Sequence, residues 1–192
     1  MRAFFSVDLP DDLAEPIADV QSHLDGADGL NVTDPAQAHV TLKFLGDVPE
    51  TATDADTGPD VEDVVAAGER ARDRVDVEPF ECRIAGLGVF PSLEYISVVW
   101  AGVEAGGSEL TRLHEALEAE TTAIGVDPED HAFTPHVTLA RMNDARGKKL
   151  VQDVVREREP DVGQFTVDAF RLTQSTLTAD GPVYETVETF YI

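Results

Sequence analysis

A chain of 192 residues, 42% of them hydrophobic, is long enough to bury a sizeable interior, and no low-complexity linker divides it, so a single domain over residues 1–192 is expected. Its 38 acidic against 14 basic residues give a formal charge of -24, which excludes long-range steering of a polyanion. The lone cysteine, Cys82, excludes an internal disulfide and a thiolate metal set, and is read as a small buried apolar residue.

Such an acidic surface repels itself in dilute salt, and screening shortens to about 3 Å only near molar salt. The composition therefore reads as adaptation to a salty cytoplasm. The start, Met1-Arg2-Ala3-Phe4-Phe5-Ser6-Val7-Asp8, is charged too soon for a signal peptide, and no apolar run is long enough to span a bilayer. A soluble, cytoplasmic protein without membrane contact is expected.

Residues 2 to 9 read as a strand ending at Pro10. A helix follows from Asp11 or Asp12 to Leu24, with Leu13, Ile17, Val20 and Leu24 as its apolar stripe and Asp12 with Glu15 as a capping box. A strand over His39–Leu45 stops at Gly46, and Pro49, Gly58 and Pro59 mark a solvated loop over 47–60. Its Asp54, Asp56 and Asp60 lack the glycine and closing glutamate offsets of a calcium loop, so no metal is expected there. A helix over 61–75 buries Val61, Val64, Val65 and Val75.

Strands over Glu81–Val89 and Tyr95–Val103 come next, then a helix opened by Ser108 and running to Ile124. His114 lies beside that helix's leucine stripe and is read as core edge rather than as a catalytic group. A strand at His136, a helix over Ala145–Arg158 and strands over Phe165–Thr176 and Val183–Ile192 complete the chain. Single helices between runs of strands predict an α+β fold of two mostly antiparallel sheets with outer helices.

Ala38-His39-Val40-Thr41-Leu42 returns as Pro135-His136-Val137-Thr138-Leu139, 97 residues later and at the same place in each half of the element order. Two lobes related by a pseudo-twofold, with a cleft between them, would bring the motifs face to face. Strict alternation puts His39, Thr41 and Lys43 on one face and Val40, Leu42 and Phe44 on the other. Two imidazoles across a cleft can work as base and acid on one bond. Two hydroxyls beside them suit the non-bridging oxygens of a phosphodiester, an arrangement that needs no metal or other cofactor. A pair of ordinary edge-facing histidines leaves the repeat unexplained.

At these residues the chain resembles the 2H phosphoesterases, and among them the RNA 2′,3′-cyclic phosphodiesterases, also called 2′-5′ RNA ligases. Further segments that carry the resemblance are Arg2–Pro10, Phe90-Pro91-Ser92, Trp100-Ala101-Gly102-Val103, Phe133–Arg141, Ser175 and Gly181–Tyr184. With the acidic composition, it suggests a halophilic archaeon as the source. The resemblance implies a monomer acting on RNA ends that carry a 2′,3′-cyclic phosphate, or on a related nucleotide, and leaving a 2′-phosphate. It implies His136 as the proton acceptor and His39 as the proton donor, with Thr41, Thr138 and Arg141 on the phosphate and Lys43 as a further contact. The residues alone do not choose between the two histidines, because the duplication makes them equivalent. Arg141 would need a bulge or strand end to leave the face opposite His136. Phe4 or Phe5 could stack on a base.

Where relatives carry basic and proline residues after Phe-Pro-Ser, this chain has Leu93-Glu94-Tyr95, so binding would rest on Lys43, Arg141, Arg146, Lys148 and Lys149. Three alternatives stay open. They are a 2H enzyme for a linear 2′,5′-phosphodiester or a cyclic nucleotide-like metabolite, a non-catalytic RNA-end binder, and a metal hydrolase built on His131, His136 and Asp127 or Asp130.

Overall fold

In the computed structural model, which describes residues 1–51, 58–179 and 181–192, the chain runs through β1 (Arg2–Asp8), a 3-10 turn (Asp11–Leu13), α1 (Ala14–Ser22), β2 (Leu30–Val32) and β3 (His39–Asp47). It continues through α2 (Val61–Arg74), β4 (Phe80–Pro91), β5 (Ile96–Ala105), α3 (Gly107–Ala123) and β6 (His136–Met142), then α4 (Lys148–Glu157), β7 (Asp161–Val167), β8 (Ala169–Thr178) and β9 (Gly181–Tyr191). The loop expected over 47–60 lies partly outside the described residues, and Asp54 and Asp56 do so entirely.

Local chemistry sets most boundaries, with three corrections. Asp12 and Glu15 form no capping box, because the chain enters α1 through the 3-10 turn without a side-chain cap. The box forms instead at α2, where Asp60 and Asp63 each accept from the other's backbone N–H. Helix α3 starts from Gly106 at φ 86°, a left-handed conformation open to glycine, while the Ser108 hydroxyl bonds Glu109. The single closing strand expected over Phe165–Thr176 is two, β7 and β8, parted at Asp168, and the short β2 is additional.

Eight strands lie in the order β7-β4-β5-β6-β3-β1-β8-β9, with β2 pairing off β6, and every ladder is antiparallel. The two expected sheets are therefore one, pinched where β3 meets β6 through a single residue pair, Val40 opposite Val137. These valines hold the same place in the repeat, so a pseudo-twofold passes between them. One lobe is β3-β1-β8-β9 and the other β6-β5-β4-β7. Each half of the chain builds into the other lobe: β4 from the first half pairs with β5, and β8 from the second pairs with β1 and carries β9 beside it. The halves cannot separate without breaking both ladders.

Helices cover the outside. Helices α2 and α3 pack against β9 and β3 of the first lobe, and α1 and α4 against β6, β7 and β4 of the second. The first lobe's core centres on the rings of Phe5, Phe170 and Phe190, each at most 1% exposed and each pair within 6.0 Å between centroids. Burying each ring stabilises the fold by about 2–3 kcal/mol. Helix α2 crosses this cluster at Gly68, where an added Cβ would stand 2.7 Å from Phe190 Cζ. Cys82 is fully buried and burial, chiefly, pushes its thiol up to about 12, which suits packing rather than reaction. No helix among the described residues is long and apolar enough to cross a membrane.

Candidate active site

His39 opens β3 and His136 opens β6, on either side of the seam. The same bond fixes both rings: Nδ1 lies 2.9 Å from the Gln37 carbonyl in one and 2.7 Å from the Thr134 carbonyl in the other. A carbonyl can only accept, so Nδ1 carries the proton. The neutral ring then offers a bare Nε2, and the charged ring an Nε2–H. Aromatic side chains steady each imidazole. Phe4 stacks on His39 at 5.0 Å and Tyr184 meets its edge at 5.0 Å, whereas Phe90 and Trp100 stand 4.9 and 6.0 Å from His136. Trp100 lies over Gly88, where any Cβ would come within 2.1 Å of the indole.

Alternation breaks at the same residue of both motifs. Strand β1 pairs Ser6 with Thr41 and Phe5 with Lys43, which leaves Leu42 as the extra residue of a bulge. Strand β5 pairs Trp100 with Thr138 and Val99 with Ala140, which leaves Leu139 extra. Two consecutive side chains therefore turn inward, Leu42 with Lys43 and Leu139 with Ala140, all at most 1% exposed. The next residue emerges on the histidine side, Phe44 in one motif and Arg141 in the other.

Lys43 is thereby corrected. It does not share the face of His39 and Thr41; it is buried behind the strand, its Nζ 2.8 Å from Glu118 Oε2 and donating to the Asp127 carbonyl at 2.8 Å. Arg141 is exposed, and its charge bears on His39, His136 and Tyr184 together. Phe4 is 5% exposed and already stacked on His39, and Phe5 is fully buried, so the ring open to a base is Phe44, 60% exposed and 6.2 Å from Phe4. Phe44 was hidden by assumed alternation, although the repeat held the signal: a bulge that frees Arg141, applied to its twin position, frees Phe44.

Thr41 and Thr138 are half-buried, and neither side-chain hydroxyl has a protein partner among the described residues. The remaining cations expected to bind are engaged: Arg146 pairs with Asp144 at 3.0 Å, Lys149 with Asp153 at 2.5 Å, and Lys148 donates to the Glu94 carbonyl. His131 bonds Asp130 on an exposed segment, and His114 is buried against Leu42. Among the described residues, no three His, Cys, Asp or Glu side chains gather as a metal site.

Burial is the main cause that lowers both catalytic candidates below the usual histidine value of 6.5, and Arg141 lowers both further. The two differ in their remaining neighbours. Asp8, which pairs with His39 across β1 and β3, raises that ring, whereas His39 itself lowers His136.

A sequence profile of the 2′-5′ RNA ligase superfamily matches residues 9–178. A protein of Methanothermobacter thermautotrophicus named RNA 2′,3′-cyclic phosphodiesterase is 35% identical over 192 residues, 99% of this chain and 98% of its own. One of the same name from Aeropyrum pernix is 38% identical over 150 residues, 78% of each chain. A crystal structure from Thermus thermophilus superposes with a TM-score of 0.77 at 30% identity, over 100% of this chain and 97% of that one. The structure of E. coli LigT complexed with 3′-AMP superposes over the same shares with a TM-score of 0.77; at 23% identity it shows a shared fold. With its paired motifs, its seam and a profile match over most of its length, the chain belongs to the 2′-5′ RNA ligase superfamily of 2H phosphoesterases.

Proposed function

We propose that this protein hydrolyses 2′,3′-cyclic phosphates at RNA ends to 2′-phosphates by metal-independent acid–base catalysis. His136 Nε2 takes the proton of a water that attacks phosphorus in line with the 3′ oxygen. The P–O3′ bond breaks, and His39 Nε2–H gives its proton to the departing O3′. Thr41, Thr138 and Arg141 hold the non-bridging oxygens as charge builds on them. A 5′-hydroxyl in place of water would leave a 2′-5′ linkage by the same steps.

The observation that carries this reading is the matched anchoring of the two rings, each with Nδ1 on the carbonyl two residues back and Arg141 bearing on both. Asp8 beside His39 supports the assignment of His39 as donor. The names of the relatives support the substrate. Because Arg146, Lys148 and Lys149 are engaged elsewhere, a short RNA end or a single nucleotide is the effective substrate, with one base on Phe44. Purified protein in high salt with chelator should convert an oligonucleotide ending in 2′,3′-cyclic phosphate to the 2′-phosphate. No product, or product only after metal is added back, rejects the reading.

A further inference from the structure

We infer that Gln21 on α1 is a positioning residue for Arg141, acting through the carbonyl of the bulge residue Leu139; the inference rests on the reading that Arg141 holds the phosphate. Gln21 is a polar side chain left 6% exposed. Its amide nitrogen has two protons and two good acceptors, the Thr33 carbonyl at 2.8 Å and the Leu139 carbonyl at 3.0 Å. Thr33 donates its own N–H to the same Leu139 carbonyl at 3.0 Å and its hydroxyl to the Thr138 carbonyl at 2.9 Å. Leu139 O thus receives two N–H donors, with the Thr33 hydroxyl 3.1 Å away sharing its one proton between this carbonyl and that of Thr138.

The twin motif shows that this bond is part of the design of the site. There the bulge carbonyl, Leu42 O, receives Nδ1 of His114 at 2.7 Å, from a side chain 7% exposed on α3. Helix α1 packs on β6 and α3 on β3, and each buries one polar group against the carbonyl of the bulged leucine. Residue type differs, Gln in one and His in the other, while the bond is kept. The bulge is what carries Arg141 to the histidine side, and Arg141 has no ion pair among the described residues to hold it there. Slackening at Leu139 therefore moves the guanidinium, two residues on, before it disturbs the buried Val137.

Gln21→Met keeps the side chain's length and removes both donors. Its kcat/KM on a cyclic-phosphate oligonucleotide should fall about tenfold, the scale of a small misplacement of a positioning group. In an Arg141→Ala background the same substitution should cost no further activity, while Tm drops equally in both backgrounds. Gln21→His, the residue type that bonds the other bulge carbonyl, should restore activity. Losses that multiply in the double variant, or a Gln21→Met protein of full activity and lowered Tm, would overturn the inference.

A substrate-free readout separates it from the function it rests on. In full-length protein with isotope-labelled arginine, the Arg141 Nε–H resonance, assigned through Arg141→Lys, should shift or broaden in Gln21→Met; an unmoved signal overturns the inference. Wild-type protein inert toward cyclic phosphate would sink the phosphodiesterase reading and leave that resonance to decide on Gln21. If Gln21→Met does not fold, Thr33→Val removes the hydroxyl bonded to the Thr138 carbonyl and is judged by the same signal.

Discussion

The two lobes share a backbone and differ in what they place on it. Both open a central strand with His-Val-Thr-Leu, anchor the imidazole to the carbonyl two residues back, and bulge at the leucine. Beyond the bulge they part. The first lobe presents Phe44 and sets Asp8 beside its histidine; the second presents Arg141 and, among the described residues, has no acid that raises its histidine. At matching positions of a repeated frame, one wall is aromatic and the other cationic. In the proposed reaction, which uses one protonated and one neutral imidazole, identical walls would share the proton equally, whereas unlike walls bias where it sits.

The strongest test breaks the pair itself. His39→Ala and His136→Ala should each lower kcat by about 10²- to 10⁴-fold in protein whose circular dichroism is unchanged. A variant of either kind with turnover near wild type would remove that ring from the chemistry. Next comes the cationic wall. Arg141→Ala should cost about 10²-fold in kcat/KM, on the scale of one lost oxyanion donor. Because Arg141 lowers both histidines, its removal should also move both limbs of the pH profile upward. Loss of rate with unmoved limbs would place the guanidinium away from the rings.

The place of His39 and His136 at the starts of two strands that meet at the seam, and the α+β class, were legible because a repeated motif and period-two alternation survive in the bare sequence. The bulges were not, since an inserted residue leaves no mark on composition; Lys43 shows the cost, reading as a cleft cation while lying behind the strand with Glu118. Arg141 pointed to the bulge, because its face made sense only with one. The single seam at Val40 and Val137 and the exchange of β4 and β8 between lobes depend on long-range pairing that local patterns do not encode. Residues that frame the rings, Phe90, Trp100 and Tyr184, could be matched to relatives but not given a task until the rings were placed.

The aromatic wall predicts a smaller effect that falls on binding. Phe44→Ala should raise KM for an oligonucleotide up to about tenfold, as expected when one base loses a stacking partner, with kcat little changed. A cyclic phosphate with no base should be indifferent to the substitution, and equal losses on both substrates would assign Phe44 to packing instead. Salt provides a companion measurement: if Arg141, which has no ion pair among the described residues, is the cation that meets the phosphate, log kcat/KM should fall with log salt at a slope near that of one phosphate contact, rather than several.

The finest contrast between the lobes is one carboxylate. Both histidines sit below 6.5 in the free protein, so the bell of kcat/KM should peak below that pH, its acid limb from His136 and its alkaline limb from His39. Asp8 favours the charged form of His39, and Asp8→Asn withdraws that support, so the His39 limb should move to lower pH while the His136 limb stays nearly fixed. The bell narrows from its alkaline side, and activity at neutral pH drops more than activity at the maximum. Were the roles reversed, with His136 as donor, the same substitution would enrich the neutral His39 that accepts the proton, and activity would rise instead of fall. Asp8 also holds Arg171 at 3.0 Å, so the sign of the change in activity, rather than its size, is what distinguishes the two assignments.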